Sequence, residues 1–213
     1  MKNLLSYCLV LFFAMACTNS KPAATSDGWV SLFDGKTLTG WKASENPGTF
    51  KVEDGAIVVH GPRAHLFYVG PEMNHDFDNF EFKAQVMTTP GSNSGIFIHT
   101  AYQEEGWPSK GHEVQVNNSQ SDWRRTGSVY AYDDVKEVHV QDNEWYTQHI
   151  IVQGNKVTVK LNGKTVVEYT EPENAERPAD AKDKVLSSGT FALQGHDPDS
   201  KVYFKDIMVK PLP

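Results

Sequence analysis

Glu113-Val114-Gln115-Val116 is a stretch whose residue types and spacing suggest chemistry. In an extended chain successive side chains alternate between faces, so Glu113 and Gln115 share one face and the two valines the other. A carboxylate beside an amide on a polar face can serve as a general base with a hydrogen-bonding neighbour. The same alternation groups Gly95, Phe97 and His99 on one face of a second run, with Ile96 and Ile98 opposite. Since the isoleucines belong in a core, His99 is expected to look outward on the side of Glu113. Gln194 and His196 end a third run, and Gly195 between them permits close approach of backbone or ligand. Tyr130 and Trp123 offer flat faces on which the C–H groups of a sugar can pack, whereas Trp29 and Trp41 are expected in the core.

Each residue also has a structural reading. Glu113 can face solvent on an outer sheet, His99 can be a satisfied polar group, and Gln194 can tie neighbouring strands together. His60 and His65 are weaker candidates, because nothing local defines a partner for them. His99, Glu113 and His196 together offer two imidazoles and a carboxylate, a set that suits several divalent metals. No run has diagnostic ligand spacing, so the metal stays undecided and no cofactor is assigned.

Strands must carry these side chains. Short runs rich in Val, Ile, Phe, Tyr and Thr recur between Gly, Asn, Asp and Pro, and no stretch sustains the three-and-four spacing of a helix. The spacing predicts three antiparallel strands over Trp145 to Tyr169, turned at Gly154-Asn155 and Asn162-Gly163, whose residues tolerate the positive φ of tight hairpins. Further strands are predicted over Phe50 to Val52, Ala56 to His60, Asn79 to Met87 and Ser94 to His99. The remainder are His112 to Val116, Ser128 to Ala131, Gly189 to Gln194 and Val202 to Lys210. That many short strands without helices favour two packed sheets, an all-β sandwich. Ala101 to Gly111 and Thr170 to Ser188 read as long surface loops, the second with a helical turn.

The N-terminus adds a compartment. Lys2 precedes an apolar run from Leu4 to Ala16, too short to span a bilayer, and Ala14-Met15-Ala16-Cys17 has the small residue before cysteine that lipoprotein processing requires. Residues 1–16 are therefore expected to be a signal peptide, Cys17 the lipid-attachment site, and residues 17–26 a polar tether. The remaining residues, 27–213, form a single domain of ordinary size. The anchor implies membrane attachment, on the periplasmic side of the envelope or at the cell surface; the absence of acidic residues after Cys17 favours the periplasm. Cys8 leaves with the signal, so the domain has no disulfide and depends on its packed core. The formal charge of −7 and the absence of a Lys/Arg cluster argue against nucleic acid as a partner.

The opening Gly28-Trp29-Val30-Ser31-Leu32-Phe33-Asp34-Gly35-Lys36-Thr37-Leu38-Thr39-Gly40-Trp41 resembles the signature of the 3-keto-disaccharide hydrolase family. Further blocks match in order, among them Asp78-Asn79-Phe80-Glu81-Phe82, Asn93-Ser94-Gly95-Ile96-Phe97-Ile98-His99, Gly111-His112-Glu113-Val114-Gln115-Val116 and Leu193-Gln194-Gly195-His196. The resemblance spans about Gly28 to Leu212. It implies a concanavalin A-like jelly roll of two antiparallel sheets, with sugar on a concave face. It also implies cleavage of glycosides already oxidised to a ketone at C3, and favours the site reading of Glu113. Many members carry arginine where this chain has His99, which puts the charge donated there in doubt.

A 3-keto sugar has an acidic proton on C2, so the group on C1 can leave by elimination and water can add to the enone. This route needs a base, a donor to the enolate oxygen and an acid for the leaving oxygen. Glu113 is assigned as base, His99 and Gln115 as donors and His196 as acid, with Gln194, Tyr130, Trp123 and Asn93 as substrate-binding residues. A separate sugar oxidoreductase would supply the 3-keto-glycoside, since the chain has no dinucleotide fingerprint. The alternatives are a glycoside hydrolase acting on unoxidised glycan and a non-catalytic sugar-binding module.

Overall fold

Alternating burial along the strands divides each into a core face and an outer face. The structure, a computed structural model, describes residues 27–213; the expected signal peptide (1–16), Cys17 and the rest of the tether to Ser26 lie outside the described residues. Thirteen strands occur among them, beginning with β1 (Val30–Ser31), β2 (Trp41–Ala43), β3 (Phe50–Glu53), β4 (Ala56–Val59) and β5 (Ala64–Tyr68). Next come β6 (Phe80–Thr88), β7 (Ser94–Thr100), β8 (His112–Val116) and β9 (Tyr146–Gln153). The last four are β10 (Lys156–Leu161), β11 (Lys164–Thr170), β12 (Thr190–Gly195) and β13 (Val202–Pro211). All pair antiparallel, in two sheets: β11-β10-β9-β6-β13-β4-β3, with β1 also on β13, and β2-β5-β12-β7-β8. The result is the jelly-roll β-sandwich expected from the strand pattern and the resemblance.

The two hairpins form where turn chemistry allows. Asn162 and Gly163 both take positive φ, 48° and 83°, and close Leu161 against Lys164. Gly154 at φ 57° opens the turn that pairs Gln153 with Lys156. The Thr170 to Ser188 loop contains a single 3-10 turn, Ala179–Ala181. Strands β1, β2 and β5 are additions to the sequence expectation, since their runs are short or lie beside glycine and charge. Ser128 to Ala131, expected as a strand, contributes only a bridge from Val129 to Val114 and Asp133, because Ala131 turns away at φ 66°.

Between the sheets, Ile96, Ile98, Val114, Val116 and Leu193 of the smaller sheet join Phe82, Val86, Ile150 and Phe204 of the larger in one buried cluster. Phe191 packs its ring 4.7 Å from Phe82 and 4.9 Å from Phe80. Burying each such ring contributes about 1.5–3 kcal/mol. Trp41 joins this core and donates from Nε1 to the Leu32 carbonyl. Trp29 is buried elsewhere, against His149 and beneath Lys83. On the outer face of the smaller sheet, Phe67, Phe97 and Ala192 form a separate apolar cluster touched by Tyr102 of the β7–β8 loop.

Candidate active site

Register brings side chains from three strands together on that outer face. Strand β7 lies between β8 and β12, with Gly95 opposite Gln115, Phe97 opposite Glu113, and Ile96 opposite Leu193. Gln194 therefore falls beside Gly95. Since Gly95 has no side chain, the Glu113 carboxylate crosses β7 and accepts a hydrogen bond from Gln194 Nε2 at 2.9 Å. A Cβ on Gly95 would stand 2.7 Å from Glu113 Cγ, inside contact distance, so glycine is needed here for close approach. Assigned from its hydrogen-bonding neighbours, the Gln115 amide donates to Glu113 Oε1 at 3.0 Å and to the Ser94 carbonyl at 3.3 Å.

These groups open onto a pocket of about 310 Å³, at the low end of small-molecule sites. Asn93, Phe97, Tyr130 and His196 also line it, as do Trp107 and Lys184 from the two long loops and Asp122 from the loop after β8. Asn93 Oδ1 and Gln194 Oε1, on two residues that line the pocket, are buried with no protein hydrogen bond.

Burial dominates the electrostatics of Glu113, because removal from water disfavours its anion. It raises the carboxyl from an ordinary 4.5 to about 7 against the opposing Gln194 hydrogen bond and Lys184 charge. Near neutrality the group can therefore both take and return a proton.

His196 Nδ1 lies 2.6 Å from Asp197 Oδ2. The carboxylate accepts, so the imidazole is held with its proton on Nδ1 and with Nε2 available. Asp197 is itself fixed by the Ser200 hydroxyl at 3.0 Å and the Asp199 and Ser200 amides at 2.9 Å. Burial works to raise the Asp197 carboxyl, but these hydrogen bonds and the one from His196 outweigh it and hold it below its ordinary range. Trp107 lies over this edge of the pocket, its ring centre 5.4 Å from that of His196 and 5.6 Å from that of His65. Burial pushes His65 down to about 3, so it remains neutral beneath the indole.

Glu113, Gln115, Gln194, His196, Tyr130 and Asn93 are thus brought together around one pocket. His99 is not, and the expectation that it faces outward with Glu113 is corrected. Its φ of 52° breaks the alternation of β7, at the end where the pairing with β12 shifts register. The ring turns into the protein against Phe80, donates from Nε2 to the Asp78 carbonyl at 2.8 Å, and accepts from the Ser187 amide at Nδ1. It fastens loops together. Trp123 is also outside the lining, because its ring is half exposed beside the Arg124 guanidinium and Lys136. With His99 in the core, the His99, Glu113 and His196 set cannot converge on one cation. Among the described residues no cluster of three or more His, Cys, Asp or Glu side chains has that arrangement. His60 donates from Nδ1 to the Ser200 carbonyl at 3.0 Å, away from the lining.

Sequence reasoning missed Phe97 as a pocket residue, along with Trp107, Asp122, Lys184 and the orienting Asp197. Phe97 shares the face already assigned to Glu113, and Asp197 directly follows His196; both signals were available in the pattern. Lys184 and Trp107 come from loops, where no periodicity marks direction.

Residues 28–210 match the model of the 3-keto-alpha-glucoside-1,2-lyase-like domain. The chain is similar to a 3-keto-disaccharide hydrolase of Bacteroides thetaiotaomicron, with 34% identity over 79 residues covering 34% of this chain and 27% of that protein. The match thus spans about a quarter of that relative's length. A solved structure from Parabacteroides distasonis, provisionally classed as a glycosyl hydrolase, superposes with a TM-score of 0.72 at 27% identity, covering 87% of this chain and 94% of that one. A carbohydrate-binding module of Bacillus subtilis, 11% identical with a TM-score of 0.51 over 89% of this chain and 99% of its own, shares the fold alone.

Proposed function

The chain belongs to the 3-keto-alpha-glucoside-1,2-lyase-like family, and from that premise we propose that it cleaves glycosides whose ring carries a ketone at C3. The observation that carries this reading is the convergence of Glu113, Gln115, Gln194 and His196 on one pocket, with a carboxyl raised by burial to about 7. An ordinary glycosidase divides its work between two carboxylates, one protonating the leaving oxygen. Here the dominant acid–base pair is instead a carboxyl and an aspartate-held imidazole.

In the proposed reaction Glu113 removes the proton on C2, and the electron pair of that bond passes to the ketone oxygen as an enolate. The enolate re-forms the ketone, a double bond forms between C1 and C2, and the C1–O bond breaks. Imidazolium His196 protonates the departing oxygen, its charge balanced by Asp197. The same imidazole, now neutral, takes a proton from water as that water adds to C1, and Glu113 returns its proton to C2. The products are a 3-keto sugar and the free aglycone, and both catalytic groups end in their starting states. Tyr130 and Trp107 supply ring faces for the sugar.

The ketone must come from a separate oxidation, which assigns a sugar oxidoreductase as the preceding partner. Cys17, as a lipid anchor, would hold the enzyme at the periplasmic side of the envelope.

One observation favours a second reading: Asp122 lines the same pocket as Glu113, giving two carboxylates for hydrolysis of unoxidised glycan. Incubation with a 3-keto-glucoside and, separately, its unoxidised parent distinguishes the cases. Release of aglycone from the keto form alone, lost in Glu113→Gln, is the expected result. Release from the parent at a comparable rate indicates the ordinary hydrolase, and binding without release from either indicates a carbohydrate-binding module.

A further inference from the structure

The proposed elimination leaves one charge unmatched, the negative charge that develops on the C3 oxygen when Glu113 removes the C2 proton. The amides around Glu113 are neutral and mostly occupied: the Gln115 nitrogen places both its hydrogens on Glu113 and the Ser94 carbonyl, and Gln194 Nε2 places one of its two on Glu113, so neither brings a positive charge to the oxygen. His99, the residue expected from sequence to help, faces the core. Among the described residues lining the pocket, Lys184 is the single Lys or Arg.

The loop from Glu171 to Ser188 delivers this lysine. Glu171 is held at 3.0 Å by His112 Nε2, at 2.6 Å by the Arg177 guanidinium and at 2.8 Å by the Leu186 amide. Arg177 Nε then donates to the Lys184 carbonyl at 2.8 Å, and the Lys184 amide closes a turn on the Ala181 carbonyl at 2.9 Å. Asp183 accepts the Gly111 amide at 3.0 Å, joining this loop to the start of β8, the strand that bears Glu113. The position of the lysine backbone is therefore tied to the strand of the base.

The Lys184 ammonium donates to the Pro108 carbonyl and lies 5.4 Å from the centre of the Phe97 ring. An ammonium has three donors, and Pro108 takes one. Holding a cation half-buried over a phenyl ring is costly unless a negative group meets it, and burial does lower its pKa against the favourable charge of Glu113. A fixed donor in a water-poor pocket stabilises developing charge without reorganisation at the moment of reaction.

We propose that Lys184 is a catalytic residue whose ammonium donates a hydrogen bond to the C3 oxygen of a 3-keto sugar and stabilises the enolate. The assignment rests on the cleavage reading above, but its step, enolisation at C2, can be observed without cleavage. The bond to C2–H breaks toward Glu113 and the electron pair moves onto an oxygen bonded to Lys184; the lysine remains an ammonium throughout. It also makes Lys184 the residue that selects the ketone, since a C3 hydroxyl develops no such charge.

The test compares wild type, Lys184→Met and Lys184→Arg on two substrates. One is a 3-keto-glucoside with a chromogenic aglycone. The other is a 3-keto sugar with hydrogen in place of the C1 leaving group, whose C2–H exchanges with deuterated water and is followed by NMR. Wild type is expected to perform both reactions. Lys184→Met is expected to lose about 10²–10³-fold in both kcat and the exchange rate, the usual effect of removing one oxyanion donor. Lys184→Arg should recover part of each rate, which a loss of folding would not do.

Wild-type cleavage with Lys184→Met unimpaired overturns the lysine assignment and leaves the cleavage reading intact. Exchange that depends on Lys184 without aglycone release upholds the assignment and removes the cleavage reading. Wild type inactive in both overturns both. A lysine–sugar adduct trapped by borohydride replaces the hydrogen-bonded ammonium with an iminium and likewise overturns the assignment.

Discussion

Replacing Glu113 with glutamine should stabilise the protein at high pH while abolishing its chemistry, and the size of the effect can be worked from the carboxyl's environment. The group titrates near 4.5 when solvated and near 7 in the folded protein, where burial disfavours its anion. The folded state thus binds this proton more tightly than the unfolded chain. Its contribution to stability is greatest at low pH, falls as pH rises from about 4.5 to about 7, and is level above that range. At about 1.4 kcal/mol for each tenfold change in proton affinity, the penalty for holding the buried anion reaches about 3 kcal/mol at pH 8 and is below about 1 kcal/mol at pH 5. Glutamine carries no such charge, and its amide can still meet Gln194, accepting from Nε2 or donating to the unpartnered Oε1. Thermal unfolding of wild type and Glu113→Gln at both pH values should therefore show a gap that widens with pH. For a domain of this size the additional shift in Tm is about 4–10 °C. Parallel stability curves between pH 5 and pH 8 would refute a raised Glu113 pKa and, with it, the account of why this carboxyl can exchange protons near neutrality.

Two further substitutions separate positioning from chemistry. Gly95→Ala puts a methyl group 2.7 Å from Glu113 Cγ, so the carboxylate must leave its place across β7. Activity on a 3-keto-glucoside should fall at least about 10²-fold from misplacement of the base, with a stability loss of about 1–3 kcal/mol from overpacking; kinetics and urea unfolding measure the two. His99→Ala removes the ring that joins Asp78 and Ser187 and should cost about 2–3 kcal/mol of stability. The kcat per folded molecule should nevertheless stay near wild type, and a collapse of kcat in well-folded protein would return His99 to the chemistry.

His99 also shows where sequence reasoning stopped. The alternation that assigned Ile96, Ile98, Val114 and Val116 to the core holds, because each lies in regular strand with a fixed period of two. It fails three residues after Ile96, where one positive φ at the strand end reverses the side-chain direction. The turn is met from far away in the chain: Gly189, packed against the His99–Thr100 backbone, lies just before β12 and ninety residues beyond His99. The hairpins were legible because Asn162-Gly163 supplies its own turn chemistry. Glu113, Gln115 and Gln194 were legible as a polar face, but their contact was not. It depends on β7 lying between β8 and β12 and on Gly95 leaving the path open, and both are facts of sheet order.

The same non-local origin explains the charge balance of the pocket. Burial raises Glu113 and lowers Lys184, so one environment drives an acid and a base toward neutrality from opposite directions. Their mutual attraction opposes both shifts, and a polar ligand that keeps the two groups in contact with developing charge replaces part of the lost solvation. Removing only the lysine leaves Glu113 without its cation and should make that carboxyl still harder to ionise; removing only the glutamate should make the ammonium easier to deprotonate. The two residues therefore act as a coupled pair, and their substitutions should be non-additive in both stability and rate. That coupling ties the loop bearing Lys184 to the strand bearing Glu113 more closely than either sequence segment suggests when read alone.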